Sequence, residues 1–362
     1  MRRALTLALR GEGWASPNPM VGAVIVKEGR VIGEGWHERC GALHAERHAL
    51  AHCTEDPAGS TMYVTLEPCC HTGRQPPCTQ AILDAGIRRV VVGSPDPNPL
   101  VAGHGVELLR QGGVEVVENV LREECDQVNE IFLHYIQTKT PFVAMKYAMT
   151  LDGKIACRTG ASKWVTGETA RTQVQQLRHH YRGILVGVGT VLADDPLLTC
   201  RLPGGRDPVR IVCDSTLRTP LTSQLVQTAG TTPTILATAC TDPARIQPYQ
   251  AAGCTVLPLP GTDGKVDLPA LMQALAAREI DSILLEGGGT LNWAMLRAGL
   301  VQKVHAYIAP KLFGGAEAKT PVEGLGFAAP GEAVALTDTR ITRLGEDFLV
   351  EGKVKADVYR HH

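Results

Sequence analysis

The chain has 362 residues, 44% hydrophobic and 20% charged, a composition typical of globular α/β proteins and a length beyond the ~100 to 200 residues of one ordinary core. Lys+Arg 36 balance Asp+Glu 37 for a formal net charge of -1, and only 4% of residues are aromatic, so neither a polyanion footprint nor a set of base-stacking platforms is present. No run approaches the ~18 apolar residues of a spanning helix, and "MRRALTLALRGEG" has a short apolar patch without a cleavage site, so a cytoplasmic protein with no nucleic-acid or membrane partner is expected.

In chain order, "VGAVIV" (21–26) and "RVIGEGW" (30–36) read as a hairpin turning at 27–29, followed by a helix through "HAERHALAHC" (44–53). Next come a strand "TMYVTL" (61–66), a polar loop, a helix at about 78–85 and a strand "RRVVVGS" (88–94). A helix at about 104–111, a short strand "VEVVE" (114–118) and one long helix at about 121–136 complete a three-layer α/β unit. The helical period stops at Pro141 and a strand-like run begins, which places the domain boundary there: 1–139 and 140–356. The second unit again alternates, with strands at 183–188, 209–214, 233–238, 254–259, 282–288 and 303–310 and helices at about 168–180, 267–277 and 290–298. Residues 357–362 read as a tail.

Eleven cysteines between Cys40 and Cys254 fall below the density of a disulfide scaffold, and Cys157, Cys213 and Cys254 read as small core hydrophobes. The dense patch is different. It runs from "HAERHALAHC" to "LEPCCHTGRQPPC" (66–78) and offers far more donors than a core requires. A catalytic zinc keeps three protein ligands, and zinc deaminases use H-x-E followed by P-C-x-x-C, the Glu acting as proton shuttle and not as ligand. His44-Ala45-Glu46 and Pro68-Cys69 fit, but Thr72 stands where the second thiol belongs, and the next after Cys70 is Cys78, nine residues beyond Cys69. Cys78 begins a predicted helix, where backbone NH groups favour a thiolate, whereas Cys70 must diverge from its neighbour Cys69. The set chosen is therefore His44, Cys69 and Cys78, with Glu46 as general acid/base. Residues 44 and 46 diverge by ~200° on an ideal helix, so His44 must stand at a helix start. Two alternatives stand beside this set: the i, i+4 pair His44 and His48, which lacks a Glu directly after the first His, and a four-ligand structural zinc using Cys70 or His71.

Several runs carry a family resemblance: "SPNPMVGAVIV", "GEGWHERCGALHAE", "YVTLEPCCHTGRQPPC", "SPDPNP" and "VAGHGVELLRQGG", then "MKYAMTLDGKIA", "GASKWVTG", "GVGTVLADDPLLTCR", "DSTLRTP", "LEGGGTLN" and "YIAPKLFGG". Over residues 1–355 the chain resembles the bacterial bifunctional riboflavin-biosynthesis deaminase/reductase family, a diaminohydroxyphosphoribosylaminopyrimidine deaminase joined to a 5-amino-6-(5-phosphoribosylamino)uracil reductase. The resemblance implies a cytidine-deaminase-like three-layer α/β/α domain followed by a dihydrofolate-reductase-like α/β domain. It also implies Zn2+ and NADPH as cofactors, small phosphoribosylated pyrimidines as substrates, and homo-oligomers. It agrees with the zinc set, for which the longer spacing is the family norm. Asn18 looks like the family's substrate-side asparagine, or else a turn residue before Pro19.

In the second half "GVGTVL" (187–192) holds only the first two glycines of a dinucleotide fingerprint, while "LEGGGTLN" is a strand ending in glycines at a helix start, where free NH groups suit a phosphate. By resemblance the cofactor touches Ala148, Trp164, Thr190, Asp194, Ser215, Gly288, Gly289, Thr290, Leu291, Asn292, Trp293 and Ala294, and the substrate touches Ser162, Arg178, Leu198, Arg201 and Glu286. Guanidinium forks suit a ribose phosphate. Lys154, Asp194 and Glu286 are the polar candidates for stabilising charge during hydride transfer, with Lys154 read equally as the partner in a turn-stabilising ion pair. Two other functions fit parts of the pattern: a zinc deaminase acting on a nucleoside, tRNA or antibiotic, and a non-catalytic zinc-stabilised binding module.

Overall fold

Each half of the chain is built on its own sheet, in the two compact units Met1–Lys139 and Thr140–His362. The computed structural model describes residues 1–72 and 75–355; the expected tail 357–362 and residue 356 lie outside them.

The first unit runs α1 (Arg2–Ala8), β1 (Gly22–Lys27), β2 (Arg30–Trp36), α2 (Ala45–Ala51), β3 (Thr61–Leu66), α3 (Cys78–Asp84), β4 (Arg89–Ser94), α4 (His104–Gln111), β5 (Glu115–Val117), α5 (Arg122–Val128) and α6 (Glu130–Thr138). Its sheet has the order β2-β1-β3-β4-β5: β1 is antiparallel to β2 and β3, and β3, β4 and β5 are parallel. The expected hairpin therefore opens a βαβ sheet. Ile25, Met62, Val64, Ile82, Val90 and Leu109 fill its core. The opening helix α1, absent from the expectation, buries Ala4 and Leu7 on Val24, and Gly22 lets it approach because a Cβ there would meet Ala4 O at 1.9 Å.

The single long helix expected at about 121–136 is instead two. Asn129 interrupts it at φ -108, ψ 20, and its buried amide leaves the helical axis to hold the backbone of Met20, accepting from the NH at 2.8 Å and donating to the carbonyl at 3.0 Å. The apolar period alone gave no sign of this tertiary bond.

The second unit runs β6 (Phe142–Thr150), α7 (Glu168–His180), β7 (Gly183–Gly187), α8 (Val188–Asp194), β8 (Val209–Cys213), α9 (Gln224–Gln227), β9 (Thr234–Thr238), α10 (Pro243–Ala251), β10 (Thr255–Pro258), α11 (Leu268–Ala276), β11 (Ser282–Leu285), α12 (Gly289–Arg297), β12 (Lys303–Ala309), β13 (Leu336–Leu344) and β14 (Asp347–Val354). The nine strands lie in the order β10-β9-β8-β7-β11-β6-β12-β14-β13, parallel from β10 to β12, with β14 antiparallel to both β12 and β13. From β7 the chain leaves through α8 towards β8; from its neighbour β11 it leaves through α12 in the opposite direction, towards β12. Such a reversal opens a crevice at the carboxyl ends of the two strands, the usual ligand position in open α/β sheets. No helix among the described residues is long and apolar enough to cross a membrane.

Replacing Asn129 by Ala is expected to strand the Met20 backbone groups and lower stability by ~1–3 kcal/mol, read as an earlier urea midpoint at unchanged slope; an unaltered midpoint would show that the bond holds nothing together.

Candidate functional site

Three chain segments converge in the first unit. His44 is the extended N-cap of α2, at φ -68 and ψ 156, as the divergence of residues 44 and 46 requires. Cys69 lies just beyond β3, and Cys78 is the first residue of α3, where Pro76 and Pro77 keep the backbone extended up to the helix start. His44 Nδ1 lies 3.5 Å from Cys69 Sγ and 3.4 Å from Cys78 Sγ, and the three donor atoms all fall within 4.8 Å of one another. A tetrahedral zinc with Zn–N ~2.0 Å and Zn–S ~2.3 Å sets N···S edges of ~3.5 Å, so the donor set fits that ion.

The electrostatics say the same. The Cys78 thiol, with lesser help from His44 and the Cys78 NH at 3.4 Å, outweighs burial and brings Cys69 down to about 4. Facing that thiolate, and buried beside Glu46, Cys78 is driven far above the ordinary thiol range. A cation between the two sulfurs would favour the thiolate form of both. Glu46 is buried, and desolvation first, then the Cys69 charge, raise its carboxyl to about 7. A group at that value can both accept and release a proton near neutrality.

The competing donors stand elsewhere. His48 Nδ1 lies on the Trp36 backbone, 2.9 Å from its carbonyl oxygen and 3.2 Å from its nitrogen, His52 Nδ1 bonds the His48 carbonyl at 2.8 Å, and Cys70 Sγ points to Leu100 O at 3.5 Å. Asn18 caps a turn, its NH on Ala15 O at 2.9 Å, while its Nδ2 reaches His37 Nε2 at 3.0 Å; the His37 ring packs edge-on against His44 at 5.5 Å. The turn bond is the one expected of a residue before Pro19. Sequence reasoning missed Arg47, which follows Glu46 and donates to Pro76 O at 3.1 Å and Pro77 O at 2.9 Å, tying α2 to the segment that delivers Cys78.

In the second unit the centre is Glu286, directly after β11. Arg178 of α7 grips it with two parallel bonds, Nε to Oε1 at 2.9 Å and a second guanidinium nitrogen to Oε2 at 3.1 Å, and Lys146 Nζ of β6 lies 3.5 Å from Oε2. Burial alone would raise this carboxyl, but Arg178 and Lys146 overcome it and hold Glu286 at about 2. The remaining Arg178 nitrogen donates to Thr199 O at 3.1 Å, so its fork is already engaged within the chain. Two cations share one carboxylate, which leaves the trio net positive.

Lys146, not Lys154, is the lysine at this centre. Lys154 Nζ bonds Ala318 O at 3.4 Å, and the Asp152 carboxylate that a turn ion pair would need is taken by the Thr150 hydroxyl and the NH groups of Phe313 and Gly314. Thr190 and Asp194 lie on α8 and Gly289–Ala294 on α12, the two helices flanking the crevice; Leu291 approaches β7 so closely that a Cβ on Gly187 would lie 3.8 Å from its own Cβ. "GVGTVL" is thus the last residue of β7 and the first turn of a helix. Ala148 is near the end of β6, and Ser215 follows β8 with its hydroxyl accepting the Val266 NH at 3.3 Å. Trp164 is exposed with the Arg171 guanidinium 4.8 Å over its ring, and Ser162 is half-buried in the same loop. Leu198 is buried in the core cluster at φ 54, while Arg201 is exposed, its NH on Gln175 Oε1 at 3.0 Å.

Residues 141–350 match the family described as RibD C-terminal domain, and residues 1–94 match the cytidine and deoxycytidylate deaminase zinc-binding region. The chain belongs to the RibD family. It is 56% identical over 351 residues to riboflavin biosynthesis protein RibD of Actinobacillus pleuropneumoniae, covering 97% of this chain and 93% of that relative. Identity to the Bacillus amyloliquefaciens RibD is 42% over 368 residues, covering 100% and 98%. Among solved structures, the Thermotoga maritima diaminohydroxyphosphoribosylaminopyrimidine deaminase/5-amino-6-(5-phosphoribosylamino)uracil reductase superposes with a TM-score of 0.86 at 38% identity, over 98% of this chain and 97% of that one. Acinetobacter baumannii RibD gives 0.87 at 35%, over the same shares. The expected pairing of a deaminase-like unit with a RibD reductase-like unit is the architecture observed.

Exchanging Glu286 for Gln leaves the largely buried Lys146 and Arg178 without their carboxylate, and an unfolding cost of ~3–5 kcal/mol is expected in denaturant titrations at neutral pH. Because this carboxyl is depressed from 4.5 to about 2, its contribution is complete above 4.5 and drains away as the pH falls towards 2, so the wild-type and variant stabilities should converge over that window. A gap that stays constant from neutrality to pH 2 would contradict the assignment.

Proposed function

We propose that the chain catalyses two successive steps of riboflavin biosynthesis: hydrolytic deamination of 2,5-diamino-6-(5-phosphoribosylamino)pyrimidin-4(3H)-one in the first unit, then NADPH-dependent reduction of the ribosyl chain of 5-amino-6-(5-phosphoribosylamino)uracil to ribityl in the second. The observation that carries this reading is the His44, Cys69 and Cys78 donor set with a buried carboxyl, Glu46, beside it, in a chain that matches RibD proteins from end to end.

Zinc held by His44, Cys69 and Cys78 would supply Lewis acidity and water activated to a pKa of about 7. Glu46 takes the proton that the attacking water gives up and delivers it to the ring nitrogen, then takes the hydroxyl proton from the tetrahedral ring carbon and passes it to the departing amine, leaving a carbonyl and ammonia. Its burial keeps bulk water from competing for that proton. His37 and Asn18 border the same site through the His37–His44 ring contact and are suited to orient the pyrimidine.

In the second unit NADPH would supply hydride to the sugar carbon bonded to the amine, opening the ribosyl ring into a ribityl chain. The crevice between α8 and α12 is suited to receive the cofactor, and the net positive trio of Lys146, Arg178 and Glu286 to attract and orient a phosphorylated sugar. Lys146 is the group in that trio able to donate a proton as the ring oxygen leaves, and Glu286 fixes its ammonium in place.

Glu46→Gln is expected to retain stoichiometric zinc while ammonia release falls by about 10² to 10⁴-fold, and to keep NADPH oxidation when given the deaminated substrate. Undiminished ammonia release would refute the role of Glu46. Stripping zinc with a chelator should likewise silence deamination and spare NADPH oxidation; loss of both activities together would contradict the division of labour between the units.

A further inference from the structure

The carboxylate of Glu67 is used by none of the chemistry above, yet it is among the most heavily engaged groups in the first unit. It lies between the end of β3 and Pro68-Cys69 and is buried. Its Oε2 accepts the NH groups of Asp96 at 3.4 Å and Gly103 at 3.1 Å, and its Oε1 those of Gly105 at 3.1 Å and Val106 at 3.2 Å. The backbone joins in, Glu67 NH donating to Ser94 O at 2.9 Å. One side chain thus closes both ends of the loop 95–103 and meets the first turn of α4.

A second observation shows how tightly the two segments are pressed together. A Cβ on Gly105 would stand 2.1 Å from Pro68 O and 3.2 Å from Glu67 Oε1, so the start of α4 lies directly on the residue before the metal-ligand candidate Cys69. The clamped loop in turn meets the residue that follows Cys69: Leu100 O accepts from Cys70 Sγ at 3.5 Å, and Asp96 is buried, with its own carboxylate capping the Asn98 NH at 2.8 Å. Four backbone NH groups converging on one carboxylate are geometrically exacting, which suits a group that fixes a loop rather than one that reacts.

We propose that Glu67 is a positioning residue of the deaminase site, locking the loop 95–103 against the Cys69 segment so that the loop forms a fixed wall for the substrate. This rests on the deaminase reading above. Without the clamp the donors remain, since His44 and Cys78 are carried by α2 and α3, but the wall is free to move and substrate binding weakens.

Two variants test it. Glu67→Gln exchanges one acceptor oxygen for an amide that faces NH groups, and Gly105→Ala forces the α4 turn off Pro68 by a different route. Zinc content, kcat and KM for ammonia release are measured with wild type alongside, together with hydrogen exchange of the Asp96, Gly103 and Gly105 amides. Both variants are expected to keep zinc and a kcat within about threefold of wild type, to raise KM about tenfold or more, and to lose protection at those amides. An unchanged KM in a folded, zinc-loaded Glu67→Gln protein overturns the proposal, as does loss of zinc and kcat at constant KM, which would make Glu67 a support of the metal loop alone. If Glu67→Gln does not fold, Gly105→Ala decides by the same criteria. A wild-type protein that releases no ammonia would count against the deaminase reading, and in that case amide protection alone reads the clamp.

Discussion

An imidazole and two thiols brought within 4.8 Å of one another cannot all take up their metal-binding form without a cation, and much of the first unit is arranged to hold them there. The two neighbouring sulfurs drive their acidities apart, Cys69 down and Cys78 up. No single helix supplies the three donors; the fold uses two helix starts and the segment after a strand end. Arg47 ties α2 to the segment that delivers Cys78, so two of the three donors are held together before any ion arrives. Preorganisation of this kind allows one position on the metal to remain for chemistry.

The second unit solves a related problem with the opposite sign. Here a buried carboxylate gathers two cations, and the trio draws on α7, β6 and the segment after β11, elements far apart in sequence but adjacent at one end of the sheet. The chain direction reverses between β7 and β11, the position at which open α/β sheets usually take a ligand. The usual glycine-rich fingerprint is absent because this sheet presents α8 and α12 at that position without one.

Legibility in the sequence followed the physics of each element. Strands such as β3 and β9 carry uninterrupted apolar runs because helices cover them, and α7 shows a clear helical period; all were read to within a residue or so. The hairpin β13–β14 escaped because β13 is largely exposed, and "LTDTRITRL" shows no apolar face. Pro248 concealed α10, although Asp242 caps its start by accepting the Ala244 NH. The metal donors were legible because ion valence restricts the candidates severely. Lys146 was not, for it lies within an otherwise apolar strand, and nothing local tells that its Nζ turns to a carboxylate 140 positions away. Glu67 was hidden in the same manner, beside the conspicuous Cys69.

The central claim is that the donor set of His44, Cys69 and Cys78 holds an open, catalytic zinc. X-ray absorption at the zinc edge of the full chain tests it most directly. The account predicts one zinc per chain with two sulfur neighbours at ~2.3 Å, one imidazole nitrogen at ~2.0 Å, and a fourth position filled from solvent. A third sulfur that closes the shell, or a protein that purifies and folds without zinc and still releases ammonia, would contradict it.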